Sequence, residues 1–179
     1  MNNVIKDEEI TRNMSRVKNK FMVFSGKGGV GKTTVAVNLA YRIMSKGYKV
    51  GLLDIDIHGP NVIKIMGLEK EKLTSTDNKI EPIKAFSNMK VISTASMLES
   101  EDTPVIWRGP MKMKLIRQFL SDVNWGNLDY MIIDSPPGTV LKISILFPQW
   151  GQINPDIFSI TPIKGNFNCC ANLILFLAS

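Results

Sequence analysis

Short apolar runs alternate with segments of helical character along most of this chain. Four of these runs have the length of buried strands, and they cover residues 21–24, 49–54, 90–94 and 130–134. A helix is predicted over residues 34–45, where Val35, Leu39, Ile43 and Met44 lie near one face, and Gly47 follows as a cap. A second helix is predicted over residues 110–119, because Pro110 suits a first helical turn.

A glycine-rich segment joins the first predicted strand to the first predicted helix. It reads Ser-Gly-Lys-Gly-Gly-Val-Gly-Lys-Thr-Thr over residues 25–34, with the spacing of a phosphate-binding loop. Glycines let backbone N–H groups turn towards phosphate oxygens, and the following helix points its positive end at the same anion. Lys32 would bring a positive charge to the β- and γ-phosphates, and the Thr33 hydroxyl would ligate Mg²⁺. A nucleotide site is therefore favoured over a glycine-rich turn without a ligand.

The residues expected to bind the nucleotide phosphates form one continuous stretch. They are Gly26, Lys27, Gly28, Gly29, Val30, Gly31, Lys32, Thr33 and Thr34.

Three acidic residues lie at the ends of two other predicted strands. Asp54 and Asp56 leave the strand at 49–54 two residues apart, which places both on one side of the chain. Asp134 ends the apolar run at 130–134, as the aspartate of a Walker B segment does. At the carboxyl ends of parallel strands, one acid could hold the water shell of a metal and another could orient the attacking water. Ordinary acids in turns are the alternative.

Composition and charge narrow the function classes. The 179 residues suit one domain, and 44% of them are hydrophobic, which is enough for a sizeable core. The net charge of +6 would suit nucleic acid or an acidic membrane surface, but the lysines are scattered. The densest basic cluster consists of Arg12, Arg16, Lys18 and Lys20. It predicts a solvated helix or tail over residues 1–20, and neither a nucleic-acid nor a membrane partner is expected.

The location of the protein is predicted from two further features. Residues 1–20 lack the apolar core of a secretory signal, and no apolar stretch reaches the roughly 18 residues that span a membrane. Cys169 and Cys170 are adjacent, which does not suit a disulfide. We therefore expect a cytoplasmic protein.

Four motifs resemble those of a known family. Lys27, inside the glycine-rich segment, resembles the additional lysine of the deviant Walker A group, which includes MinD, ParA and the nitrogenase iron protein. Three more segments resemble the Mrp/ApbC-type iron–sulfur cluster carriers of that group. They are Asp-Ile-Asp-Ile-His-Gly-Pro-Asn (54–61), Trp-Arg-Gly-Pro-Met (107–111) and Asp-Ser-Pro-Pro-Gly-Thr (134–139). The similarity covers residues 21 to 139.

The resemblance implies an α/β fold with a mostly parallel sheet flanked by helices, incomplete on its C-terminal side. It implies Mg²⁺-dependent ATP binding and hydrolysis by a homodimer that delivers iron–sulfur clusters to apoprotein clients. Lys27 would reach a phosphate across the dimer interface, Lys32 would bind phosphate, and Asp56 would position the attacking water. Asp54 and Asp134, with Thr33, would support the metal. No iron–sulfur ligand can be identified, because Cys169-Cys170 is not the Cys-x-x-Cys pair of the family.

The family pattern is expected to end at Thr139. Val140-Leu141 replaces the usual Gly-Asp, and residues 140–179 hold three charged residues whereas the preceding 139 hold 35. We therefore expect a polar segment at 1–20, an ATPase core at 21–139 and an atypical apolar segment at 140–179. A lost reading frame after Thr139 would explain the change, and the alternative is a natural short form with a strand at 156–160.

Two other functions compete with the cluster carrier. One is a positioning ATPase of the MinD or ParA type, which would act on a membrane or DNA through an amphipathic C-terminal helix or a basic face. Neither feature is evident in this chain. The other is an inactive truncated fragment.

Overall fold

The structure of the protein, a computed structural model, describes residues 2–57, 59–76, 79–97, 109–137 and 173–178. The helices are α1 (Asn2–Met14), α2 (Lys32–Met44), α3 (Val62–Ile65) and α4 (Gly109–Ser121), and a 3-10 helix covers Thr94–Met97. The strands are β1 (Val17–Ser25), β2 (Val50–Asp54), β3 (Thr74–Thr76), β4 (Lys79–Glu81), β5 (Ile83–Phe86), β6 (Met89–Ser93), β7 (Leu128–Asp134) and β8 (Leu173–Ala178). None of these helices is long and apolar enough to cross a bilayer.

A six-stranded sheet in the order β5-β6-β2-β7-β1-β8 organises the described residues. Its four central strands run parallel, whereas β5 and β8 pair antiparallel at the two edges. The strands β3 and β4 form a separate antiparallel pair. The prediction of a mostly parallel sheet flanked by helices is confirmed.

Apolar side chains cover both faces of the central strands, because successive residues of a strand point to opposite sides. On one face, α1 and α4 pack against the sheet residues Met22, Leu53, Ile92, Met131 and Ile133. On the other face, α2 and α3 pack against Val23, Val50, Leu52, Val91 and Ile132. The central strands are thereby fixed between two apolar layers, and their carboxyl ends meet at one edge of the sheet.

The predicted strands at 21–24, 49–54, 90–94 and 130–134 correspond to β1, β2, β6 and β7. The predicted helices at 34–45 and 110–119 correspond to α2 and α4. The largest difference is at β1, which begins at Val17 instead of residue 21. Polar residues such as Asn19 within this strand hid its start from the apolar pattern.

The N-terminal segment consists of α1 and the first residues of β1, and its last basic residue is not solvated as predicted. Lys20 is 8% exposed, and its Nζ donates a hydrogen bond to Val17 O at 2.9 Å. Burial lowers the pKa of this lysine. Lys18 and Lys20 both lie in β1, but only Lys20 is buried there; Arg12, Arg16 and Lys18 are exposed as expected.

Gly51 lies where β2 passes close to Trp125 and Leu128. A Cβ at this position would lie 2.6 Å from Leu128 Cδ1 and 3.1 Å from the Trp125 ring. The Trp125 ring cannot shift freely, since its Nε1 donates to Phe119 O at 2.9 Å. Overpacking of this kind costs about 1–3 kcal/mol, so Gly51→Ala should lower the free energy of unfolding by that amount in urea denaturation.

A suitable control for this variant is Gly28→Ala, measured without nucleotide. The added Cβ would meet no atom within 4 Å there. Equal losses of stability in the two variants would contradict the packing argument.

The segment 140–179 is described only at β8, which runs antiparallel along β1 from Leu173 opposite Ser25 to Ala178 opposite Lys20. The predicted strand at 156–160 lies outside the described residues, as do Cys169 and Cys170.

Candidate functional site

The glycine-rich loop connects the end of β1 at Ser25 to the start of α2 at Lys32. Gly29 and Gly31 adopt positive φ angles of 72° and 90°, which residues with a side chain rarely do. Of the predicted loop ligands, Val30 and Thr33 are half-buried and Lys32 is buried; the remaining residues of the stretch, Gly26 to Gly29, Gly31 and Thr34, are exposed. The backbone of the loop is therefore accessible to a ligand.

The first turn of α2 faces this loop. Its N-cap residue is Gly31, which has no side chain that could cap the helix. Because the first N–H groups of a helix have no intrahelical acceptor, they are available to an anion, and the helix dipole favours negative charge there.

Lys32 supplies a buried positive charge at the same place. The residue is 6% exposed, and its Nζ donates to Ser25 Oγ at 3.2 Å. The Ser25 hydroxyl, which is fully buried, donates in turn to Lys27 O. Ser25 thus links the ammonium group of Lys32 to the backbone of Lys27. Lys27 itself is exposed.

Two carboxylates lie side by side at the ends of β2 and β7. The register pairs Asp54 with Asp134, and Ile55 N donates to Asp134 O at 3.0 Å. In a parallel pair in register, side chains at paired positions leave the same face of the sheet. Both residues are almost completely buried, at 0% and 1% exposure.

The Asp54 carboxylate is enclosed by hydrogen-bond donors. Its Oδ1 accepts from Asp56 N at 3.0 Å, and its Oδ2 accepts from Ser93 Oγ at 2.9 Å and from Val62 N at 3.5 Å. Burial and, to a smaller extent, the charge of Asp134 together raise the pKa of Asp54 to about 7, against the lowering effect of these hydrogen bonds.

The Asp134 carboxylate differs sharply from that of Asp54. Neither of its oxygens has a hydrogen-bond partner among the described residues. Burial raises its pKa to about 6; the nearby Thr33 hydroxyl lowers the pKa, the charge of Asp56 raises it, and the charge of Lys32 lowers it. Since buried polar atoms are almost always satisfied, an orphaned carboxylate beside a threonine hydroxyl fits the ligands that Mg²⁺ prefers.

Asp56 lies at the mouth of the site and is half-buried. Its Oδ1 accepts a hydrogen bond from Gly59 N at 3.3 Å, and its backbone oxygen accepts from Thr94 Oγ1 at 3.4 Å. The charge of Asp56 raises the pKa of Asp134.

The fold brings most of the predicted site residues together. Lys32, Thr33, Asp54, Asp56 and Asp134 lie at the carboxyl ends of β1, β2 and β7, whereas Lys27 and Thr34 are exposed at the rim. His58, Trp107, Arg108 and the two cysteines lie outside the described residues. Within the described ranges, no group of three or more histidine, cysteine, aspartate and glutamate residues could hold a metal ion by itself.

Two serines of the site were not among the predicted site residues. Ser25 contacts Lys32, and Ser93 contacts Asp54, although neither belongs to the spacing of a known loop motif. Both are the last residues of parallel strands, and only the pairing of the strands shows which charged groups they meet.

A parallel sheet with a glycine loop between a strand and a helix, and with carboxylates on neighbouring strand ends, defines a P-loop NTPase. The chain belongs to the ParA family, as a matching family model described as "NUBPL iron-transfer P-loop NTPase" covers residues 16–147. The family resemblance expected from the motifs is confirmed. The match ends at residue 147, eight residues beyond Thr139 and 32 residues before the last residue of the chain.

Known proteins share this similarity over most of the chain. The iron-sulfur cluster carrier protein of Methanocaldococcus jannaschii is 52% identical over 157 residues, which are 88% of this chain and 54% of that protein. A cytosolic Fe-S cluster assembly factor NUBP2 homolog of Dictyostelium discoideum is 50% identical over 168 residues, which cover 88% of this chain and 63% of the other.

Among solved structures, a nucleotide-binding protein from Archaeoglobus fulgidus in complex with ADP superposes with a TM-score of 0.68. It is 38% identical, and the match covers 78% of this chain and 54% of that one. The chain therefore spans about half the length of the archaeal proteins that it matches.

Proposed function

We propose that this chain binds and hydrolyses ATP with Mg²⁺ and takes part in carrying or assembling iron–sulfur clusters. The observation that supports the ATPase most strongly is the convergence of a buried lysine, Lys32, and an orphaned buried carboxylate, Asp134, at the open N-terminus of α2. The names of the relatives support the cluster-related role.

Each polar group of the site has a role in this proposal. The N–H groups of residues 26–34 and the ammonium group of Lys32 bind the phosphates and offset their charge. Thr33 and Asp134 hold Mg²⁺, with Asp54 on the adjacent strand end. The ion, when bound, neutralises charge on the β- and γ-phosphates. Asp56 orients the attacking water at the mouth of the site.

The proposal extends to a homodimer in which Lys27 reaches a phosphate of the partner's nucleotide. The exposure of Lys27 at the rim of the loop is compatible with that role. The iron–sulfur cluster would be cargo passed to apoprotein clients in the cytosol, without a nucleic-acid or membrane partner. The described residues include no cysteine, so we assign the cluster no ligand.

The proposed function is tested with the purified 179-residue chain. Phosphate release from ATP should depend on Mg²⁺ and stop when EDTA is added, and ATP should raise the melting temperature. A folded protein with no Mg²⁺-dependent affinity for adenine nucleotides would overturn the proposal. Reconstitution with iron and sulfide, followed by transfer to an apo-ferredoxin, tests the cluster-related part separately.

The exposed lysine of the loop should affect turnover more than binding. Lys27→Ala is expected to lower the rate of ATP hydrolysis about 100-fold, since removing one group that stabilises transition-state charge costs factors of this size. The dissociation constant for ATP should change much less, because the buried Lys32 and the loop backbone remain. Lys46→Ala, which removes an exposed lysine after α2, serves as the control. Unchanged hydrolysis by Lys27→Ala would contradict the role.

A further inference from the structure

The two carboxylates that β2 and β7 place side by side are not equivalent. Asp54 accepts three hydrogen bonds, whereas neither oxygen of Asp134 has a partner within normal hydrogen-bond distance among the described residues, and the Thr33 hydroxyl is the nearby group that lowers its pKa. Sequence motifs treat both residues as supports for the metal. Their surroundings separate the two roles, because a carboxylate that already accepts three protein hydrogen bonds has little capacity left for the water shell of an ion.

Two of the three donors to Asp54 lie at the two ends of one loop. Asp56 N and Val62 N are the two ends of the loop that follows β2, here called the Asp56 loop (residues 55–62, of which His58 lies outside the described residues). Asp54 therefore closes this loop, with one carboxylate oxygen at each end. Val62 is also the first residue of α3 and is fully buried, so the far end of the loop is fixed by packing as well.

Ser93 fixes the orientation of the Asp54 carboxylate. It lies opposite Asp54 in the register of β6 and β2, and its hydroxyl donates to Oδ2 at 2.9 Å. The same Ser93 oxygen accepts from Ala95 N at 3.2 Å, which leaves its proton directed at Asp54. The residue is fully buried, so water does not compete for this contact.

We propose that Asp54 is a positioning residue, which holds the Asp56 loop in place with the help of Ser93, and that Asp134 is the carboxylate that supports the metal. This inference rests on the proposed function, because it assumes that Asp56 orients the attacking water. It assigns Asp54 a different part in that function from the one its motif suggests. A residue that orients the attacking water must be held within about 0.5 Å of its productive position. A loop whose two ends are hydrogen-bonded to one carboxylate holds Asp56 in this way.

Matched substitutions at the paired positions test the assignment. Asp54→Asn and Asp134→Asn change the same group in nearly the same volume, and Mn²⁺ binding to each protein in the presence of ADP can be followed by electron paramagnetic resonance. We expect Asp134→Asn to weaken Mn²⁺ binding at least about 30-fold and Asp54→Asn to weaken it less than about threefold. Equal losses in the two variants would overturn the proposal.

Amide hydrogen exchange tests the anchor without any nucleotide. An asparagine can accept at only one of its two side-chain polar atoms, so one end of the Asp56 loop loses its acceptor in Asp54→Asn. We expect exchange in residues 55–62 to accelerate about tenfold in Asp54→Asn and not to accelerate in Asp134→Asn, with β2 and β7 as internal references. Unchanged exchange in Asp54→Asn would overturn the anchor. If the wild-type protein binds neither ADP nor Mn²⁺, the proposed function fails. The exchange measurement still decides whether Asp54 holds the Asp56 loop.

Ser93 variants give a second, milder route if Asp54→Asn does not fold. Ser93→Ala should lower kcat for ATP hydrolysis about tenfold and change KM less than about threefold, because it loosens the loop that carries Asp56 but leaves the phosphate-binding groups intact. Ser93→Thr, which keeps the hydroxyl, should restore most of the rate. A rise in KM with unchanged kcat, or no rescue by threonine, would contradict the positioning role.

Discussion

Replacing Lys32 with alanine is expected to abolish the stabilisation of this protein by ATP. An ATP concentration of 100 times the dissociation constant should raise the free energy of unfolding of the wild-type protein by about 2.7 kcal/mol. Lys32 is the buried cation of the glycine loop, and its Nζ lies at Ser25 where the loop begins. Lys32 offsets the charge of Asp134 at the end of β7. In Lys32→Ala this positive charge is missing, and the phosphates would be repelled by Asp134.

The measurement is the melting temperature with and without MgATP. Lys27→Ala is the matched control, since it removes the same charge from the same loop but from an exposed position. We expect the control to keep most of the ATP-induced shift. A full ATP-induced shift in Lys32→Ala would show that the loop does not bind the phosphates in the way proposed.

Asp134→Asn is expected to change how stability depends on pH while it removes metal-dependent nucleotide binding. In the wild type, burial raises the pKa of Asp134 to about 6, from a usual value of 3.8. The folded protein then binds this proton more tightly than the unfolded chain, so its free energy of unfolding falls as the pH rises from about 4 to above 6. Each pKa unit corresponds to about 1.4 kcal/mol, so the loss is on the order of 3 kcal/mol.

The asparagine variant cannot suffer this loss, because its side chain has no proton to release in that range. Removing the charge also lowers the pKa of Asp54, which the charge of Asp134 raises. The stability of Asp134→Asn relative to wild type should therefore increase from pH 4 to pH 8, in urea titrations without nucleotide. At pH 8 the same variant should show no Mg²⁺-dependent response to ATP.

Asp129→Asn provides the control with the opposite sign on the same strand. The pKa of Asp129 is lowered, chiefly by its hydrogen bond from Lys18. Its contribution to stability is therefore present above the usual aspartate pKa and lost as the pH falls, and the substitution should not bring a relative gain at high pH. A stability curve of Asp134→Asn that runs parallel to the wild type would contradict the burial of a charged, unpaired carboxylate.

Most of the central fold was predictable, because its strands are continuous apolar runs. Parallel strands that are covered on both faces need apolar side chains on both faces. The apolar runs at 130–133 and 49–53 therefore predicted β7 and β2. The start of β1 was not predictable, because Lys18, Asn19 and Lys20 interrupt the apolar pattern, although Val17, Asn19 and Lys20 still pair with β7. The edge strand β8 was not predicted either, because an apolar run does not indicate which strand it pairs with, and β8 pairs with β1.

The sequence by itself determined the glycine loop, the lysines and the acidic strand ends, because these depend on residue types at fixed spacing along the chain. Only the tertiary structure decided that Asp54 and Asp134 lie side by side, and that one accepts three hydrogen bonds while the other has none among the described residues. The physical reason is that strand pairing joins residues about 80 positions apart, and desolvation and hydrogen bonding act through such spatial neighbours.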